Sequence, residues 1–149
     1  MPITDQQIVA LRAFLTNDAD GIAPLAYQLG DQGIGGYVRL ADAALSLLAS
    51  RHFLHYTRAD VVRYVAAVRA LRIADGEAYD FEPTVGENVI LHALGKRVPP
   101  QDPEERFRAI VGLLDDLSAS ELPAIADVEE LLAEARALAN RRLRSTIPC

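Results

Sequence analysis

The three histidines, His52, His55 and His92, are the side chains of this chain best suited to acid–base or ligand chemistry near neutral pH. His52-x-x-His55 has a spacing that sets two imidazoles on one helical face, as a metal site requires. No cysteine stands near them, and the carboxylates that would complete a ligand set lie far away in the sequence. The pair therefore reads as a helix end, one ring packed and the other solvated, and neither a metal nor a cofactor is expected. Asn88 and His92 lie four apart on a segment with helical periodicity, so their side chains can reach each other. The plain reading is a structural hydrogen bond between buried polar groups. The sharper one is a small enzyme or ligand-binding protein, with His92 as a general base oriented by Asn88, Glu87 or a loop carboxylate nearby, and His52 as a further pocket candidate. No nucleophile presents itself for that reading, because the single cysteine, Cys149, is the final residue, where chains fray.

A second kind of chemistry is recognition through a surface. Residues 75–83 interleave the carboxylates of Asp75, Glu77, Asp80 and Glu82 with the rings of Tyr79 and Phe81. The order is not that of a calcium loop. Acids around exposed aromatics form a docking edge for a basic protein partner. Arg58, Arg69 and Arg72 project to one flank of the helix that precedes this loop. They either pair with the same carboxylates or contact an acidic ligand.

Composition narrows the classes. Half of the 149 residues are hydrophobic and 24% are charged, which is globular composition, and one domain of this length closes its own core. The net charge of −6 argues against nucleic acid, and a DNA-associated regulator working through the arginine flank is disfavoured. Of the 15 basic residues all but Lys96 are arginine. No apolar run is long enough to cross a bilayer, the first residues lack the basic and apolar segments of a signal peptide, and one cysteine cannot form an internal disulfide. A cytoplasmic setting with no membrane is expected, with a homo-oligomer possible.

The elements that must position these residues are all helical. Thr4-Asp5-Gln6-Gln7 has the form of a capping box, followed by Ile8, Leu11 and Leu15 at helical spacing. Residues 22–29 predict a short helix with Pro24 in its first turn and Gly30 as its stop. Gly30, Gly33, Gly35 and Gly36 then predict a corner between helices; their spacing is not that of a phosphate-binding loop. Residues 37–53 predict a buried helix with Leu40, Ala41, Ala44, Leu45, Leu47 and Leu48 inside and Arg39, Asp42, Ser46 and Ser50 wet.

Residues 57–72 look like the pillar of the fold. Val61, Tyr64, Val65, Val68 and Leu71 share one arc, and Val62, Ala66 and Ile73 form a second stripe, which predicts packed neighbours on two sides. Thr84-Val85-Gly86-Glu87 reads as another capping box before an apolar segment ended by Gly95, and Asp102-Pro103-Glu104-Glu105 as a further start signal. The last helix carries Val128, Leu131, Leu132, Ala135, Leu138 and Ala139 on one side, with glutamates early and arginines late. The expectation is all-α: a compact bundle of about six helices, or three stacked helical hairpins.

The segments Tyr56-Thr57-Arg58-Ala59-Asp60-Val61-Val62-Arg63-Tyr64-Val65 and Leu131-Leu132-Ala133-Glu134-Ala135-Arg136-Ala137-Leu138-Ala139 resemble a group of small, uncharacterised helical proteins common in actinobacteria. The resemblance spans residues 36 to 142 and implies an all-helical fold; it brings no activity and no site residues. Together these observations favour a non-enzymatic interaction or regulatory module acting through the acidic loop, with the His92 pocket as the competing reading.

Overall fold

The computed structural model describes residues 2–16, 19–53, 55–74, 81–121 and 125–145, with the backbone alone at 19–32, 72, 74, 125, 126 and 145. The described residues are all-α, as expected, with six helices: α1 (Asp5–Leu15), α2 (Ala19–His52), α3 (Arg58–Ala74), α4 (Pro83–Ala93), α5 (Pro103–Glu121) and α6 (Ile125–Ser145). None of these helices is long and apolar enough to cross a membrane. By internal contacts the chain divides into two compact units, Met1–Ala44 with Leu122–Cys149, and Leu45–Glu121, the division falling inside α2.

In the first unit α1 packs against α6. The Thr4 hydroxyl accepts from the Gln7 amide at 3.3 Å, and the Gln7 side-chain oxygen accepts from the Thr4 amide at 2.8 Å, completing the expected capping box. The same Gln7 side chain, buried, donates its Nε2 to the Gly33 carbonyl at 2.9 Å. This bond explains why residues 22–36 are not a short helix and a corner. Glycine weakens a helix by about 1 kcal/mol per residue, yet α2 runs through all four glycines. A Cβ on Gly36 would fall on the Gln7 side-chain amide, within 2.8 Å of its Cδ. Bare backbone at this point admits α1 closely enough for the bond to form.

Further along α2, Ser46 is buried rather than wet. On α6, Arg136 donates to Asp5 Oδ1 at 2.8 Å and to the Ile3 carbonyl at 3.0 Å, and Asn140 Oδ1 accepts from the Ile3 amide at 2.8 Å. These bonds tie the residues before α1 to the last helix. Arg12 and Glu129 form an exposed two-pronged ion pair, an arrangement that contributes little to stability.

The second unit is built on the pairs α3–α4, α4–α5 and α3–α5; the first of these is one of the hairpins expected. Thr57 and Asp60 cap α3 reciprocally, the Thr57 amide donating to Asp60 Oδ2 at 2.8 Å and the Asp60 amide to Thr57 Oγ1 at 3.2 Å. Val61, Val65 and Val68 are buried, each burial contributing ~1.5–3 kcal/mol. The expected second stripe is not packed: Val62 is 39% exposed, Ile73 63%, and Ala66 is exposed as well. Leu71, assigned to the inner arc, is 59% exposed. Helical periodicity reports which residues share a face and is silent on whether a partner covers it, so one valine stripe suffices to hold α3.

Helix α4 also starts differently from expectation. Pro83 occupies its first turn, Glu82 stands at the cap without a side-chain bond, and the Gly86 amide donates to the Glu82 carbonyl at 3.1 Å. The fixed φ of proline sets the start one residue before the Thr84 box. Gly95, at φ 87°, ends α4 in a Schellman turn, with Lys96 N donating to the Leu91 carbonyl at 2.9 Å and Gly95 N to the His92 carbonyl at 3.0 Å. Asp102 caps α5 as expected, accepting from the Glu105 amide at 3.1 Å.

Gly86 faces the Phe81 ring and Val65. A Cβ there would lie 2.6 Å from Phe81 Cε2 and 2.9 Å from Val65 Cγ1. Gly86→Ala gains about 1 kcal/mol of helix propensity and loses about 1–3 kcal/mol to overpacking against two buried side chains. Urea denaturation of Gly86→Ala is expected to give a net loss of stability; a gain would mean that α3 and α4 separate at no cost.

Candidate functional site

The end of α2, the turn after it and the first two turns of α3 bring together the densest group of rings among the described residues. Helix α2 closes with the Phe53 amide donating to the Ala49 carbonyl at 2.8 Å, which leaves His52 and Phe53 at its tip. The cap of α3 at Thr57 then fixes the chain direction and presents Asp60, Arg63 and Tyr64. His52, Phe53, His55, Tyr56, Asp60, Arg63 and Tyr64 line an open cleft of ≈ 380 Å³.

The rings pack edge to face. Phe53 meets His52 at 4.8 Å between centroids, Tyr64 at 5.3 Å and Tyr56 at 6.3 Å, while His52 lies tilted against Tyr64 at 5.2 Å. Such pairs place the positive edge of one ring on the negative face of the next.

Two carboxylates of α5 hold this group from behind. The Tyr64 hydroxyl donates to Asp116 Oδ2 at 2.6 Å, and His52 Nδ1 lies 3.0 Å from Glu121 Oε1. A carboxylate only accepts, so Nδ1 carries the hydrogen and the ring orientation is fixed. Burial, then the hydrogen bond to Asp116, then the charges of Asp116 and Glu121 push the Tyr64 hydroxyl far above the ordinary phenol range. Asp60 is held below the usual carboxylate range by the Thr57 amide, by Arg63, whose Nη2 lies 2.7 Å from Oδ1, and by the Thr57 hydroxyl.

The residues singled out from sequence are distributed otherwise. Asp75, Glu77, Tyr79 and Asp80 lie outside the described residues. Phe81 is 4% exposed and sits in the core, so it is no docking aromatic; Glu82 is exposed at the start of α4. Arg58 is exposed, Arg69 is half-buried with Nε donating to the Phe81 carbonyl at 2.7 Å, and the Arg72 side chain lies outside the described set.

His92 is exposed rather than core, Asn88 is half-buried, and no hydrogen bond joins them among the described residues. His92 lines a different cleft of ≈ 340 Å³, with Gly95, Lys96, Arg97 and Val98, so His52 is not brought to it. His52 and His55 do share one cleft, but no group of three His, Cys, Asp or Glu able to hold a metal occurs among the described residues. Tyr56, Tyr64, Asp116 and Glu121 were not candidates from sequence. The crowding of rings between residues 52 and 64 was the one signal available for the first two, and their carboxylate partners carried none.

Tyr64→Phe removes a partly buried bond to a charged acceptor and is expected to cost about 1.5–3 kcal/mol in denaturant unfolding. The raised Tyr64 value has a defined sign in pH. Its stabilising contribution is complete below the ordinary phenol value of 10.0 and is lost as pH rises above it, because the unfolded chain ionises there while folded Tyr64 keeps its proton. Tyr37, pushed up to about 12 by burial, adds a loss of the same sign between 10.0 and about 12. Stability measured against pH above 10 is expected to fall, and to fall less steeply in Tyr64→Phe.

No protein-family model, no curated protein and no solved structure matches this chain.

Proposed function

We propose that this protein is a non-enzymatic interaction module that receives an acidic amphipathic helix on the outer face of α3. The observation that carries this reading is the exposure of Val62 and Ile73, two large apolar side chains on one face of α3. Val62, Ala66, Ala70 and Ile73 follow helical spacing, and Ala59 and Ala67 widen the same exposed face. Small side chains make this face flat, which allows a second helix to approach closely.

Charge selects the partner. Arg58 is exposed at the border of the face, and α3 carries four arginines against one acid, within a chain of net charge −6. An amphipathic helix with leucines on one side and glutamates flanking them matches both features. A second copy docking isologously would bring arginines against arginines. Nucleic acid fits poorly, since phosphates gain nothing from the apolar stripe and the chain as a whole repels them. A single cysteine, which cannot form an internal disulfide, fits a cytoplasmic setting. Of the acidic loop only Phe81 and Glu82 are described, and with Phe81 in the core the proposal rests on α3 instead.

The test uses two fluorescein-labelled amphipathic peptides with the same leucine face, one flanked by glutamates and one by lysines. Anisotropy is expected to show the glutamate peptide binding at least about tenfold more tightly. The Val62→Asp/Ile73→Asp double variant should lose that binding while keeping its helical circular dichroism. Equal binding of both peptides, no binding, salt-sensitive binding to duplex DNA, or a wild-type dimer that the double variant dissociates would each overturn the proposal.

A further inference from the structure

A separate set of observations concerns the ring-lined cleft between the end of α2 and the start of α3, which the outer face of α3 does not use. Its volume of ≈ 380 Å³ is that of a small-molecule site. Its walls are the rings of His52, Phe53, Tyr56 and Tyr64, and two of these are locked from behind by α5 through the Tyr64–Asp116 and His52–Glu121 bonds. The cleft is therefore pre-organised.

The charges around it decide which ligand it suits. Asp60 and Arg63 pair at the rim and cancel. Asp116 and Glu121 remain, and among the described residues their hydrogen-bond partners are a phenol and an imidazole rather than an arginine or lysine. Helix α2 ends here, at His52, and a helix C-terminus carries partial negative charge, while α5 reaches the ring group through the side chains of Asp116 and Glu121. Tyr64 is pushed up chiefly by burial, and Asp116 and Glu121 behind the ring add to that displacement in the same direction.

An anion finds little to bind. The first turn of α3 already has its cap from Thr57 and Asp60, and Arg63 is held by Asp60. The lining side chains of His55 and Tyr56 make no hydrogen bond among the described residues. Aromatic faces in a negative field are the arrangement that attracts an organic cation, whose charge meets the ring quadrupoles while its carbon atoms fill the apolar space.

We infer that the cleft lined by His52, Phe53, Tyr56 and Tyr64, backed by Asp116 and Glu121, binds a small organic cation of the substituted-ammonium class. The site differs from the α3 outer face in location, charge and ligand, so either can stand without the other.

Calorimetric titration of the wild-type protein with benzyltrimethylammonium chloride, and with sodium benzoate as the anionic counterpart of similar size, tests the assignment. Binding of the cation at millimolar or lower concentration, with none of benzoate, is expected. Tyr56→Leu, at a half-exposed position of the turn, should weaken binding about fivefold, whereas Tyr56→Phe should keep it, since the ring face and not the hydroxyl is the contact. Glu121→Gln should weaken it while leaving the fold intact by circular dichroism. Binding of benzoate as tightly as the cation, no binding of either, or affinity unchanged in both Tyr56→Leu and Glu121→Gln would overturn the inference.

Discussion

Phe81 can be buried only where the helix beside it lacks a side chain, and Gly86 provides that place. The ring lies against the bare backbone of α4 and close to Val65 of α3, so one contact sets how near α3 and α4 approach. Arg69 adds a bond from α3 to the Phe81 carbonyl, fixing the backbone just before Pro83 starts α4. The orientation of α3 follows. With Val61, Val65 and Val68 turned inward, Tyr64 sits at the side where Asp116 of α5 can reach it, and Val62, Ala66 and Ile73 are left outside. Both the ring-lined cleft and the exposed stripe of α3 are thus consequences of how one phenylalanine is accommodated.

The polar groups of the two units work in a common way. Each unit has a side chain that satisfies its own helix terminus or ring and at the same time joins a second element. Gln7 closes the cap of α1 and bonds the Gly33 carbonyl of α2. Tyr64 and His52 pack in the ring group and bond α5 through Asp116 and Glu121. Partly buried polar groups are costly when unmet and directional when met. They therefore define relative helix positions within each unit more sharply than leucines and alanines, which tolerate sliding.

Much of the helical framework was legible locally, because capping and proline signals depend on residues within one turn. Thr4 with Gln7, and Asp102 before Pro103, act as their patterns indicate. Features that depend on distant partners were not legible. The glycines of α2 read as a corner because the Gln7 side chain that supports them comes 26 residues earlier. The outer stripe of α3 read as a packed face because periodicity does not say what lies opposite. Phe81 read as a surface aromatic because the gap that accepts it is a glycine within another helix. The ring group could be located only by its crowding, since Asp116 and Glu121 are separated from Tyr64 and His52 by 52 and 69 residues. An isolated carboxylate on a helix carries no sign of the ring it will meet.

The glycine-bearing part of α2 has a consequence for how the protein breathes. Helical hydrogen bonds through Gly33, Gly35 and Gly36 have weak intrinsic support, and the Gln7 contact supplies a tertiary one. The later half of the same helix, with Leu40, Leu45 and Leu48 buried, has ample side-chain burial of its own. One uninterrupted helix therefore contains two regions of unequal local stability. Amide hydrogens of the glycine region exchange with solvent whenever α1 lifts away, while those beyond Leu40 wait for a larger opening. Detachment of a short terminal helix is in this way communicated, as backbone melting, to a segment many residues farther along the chain.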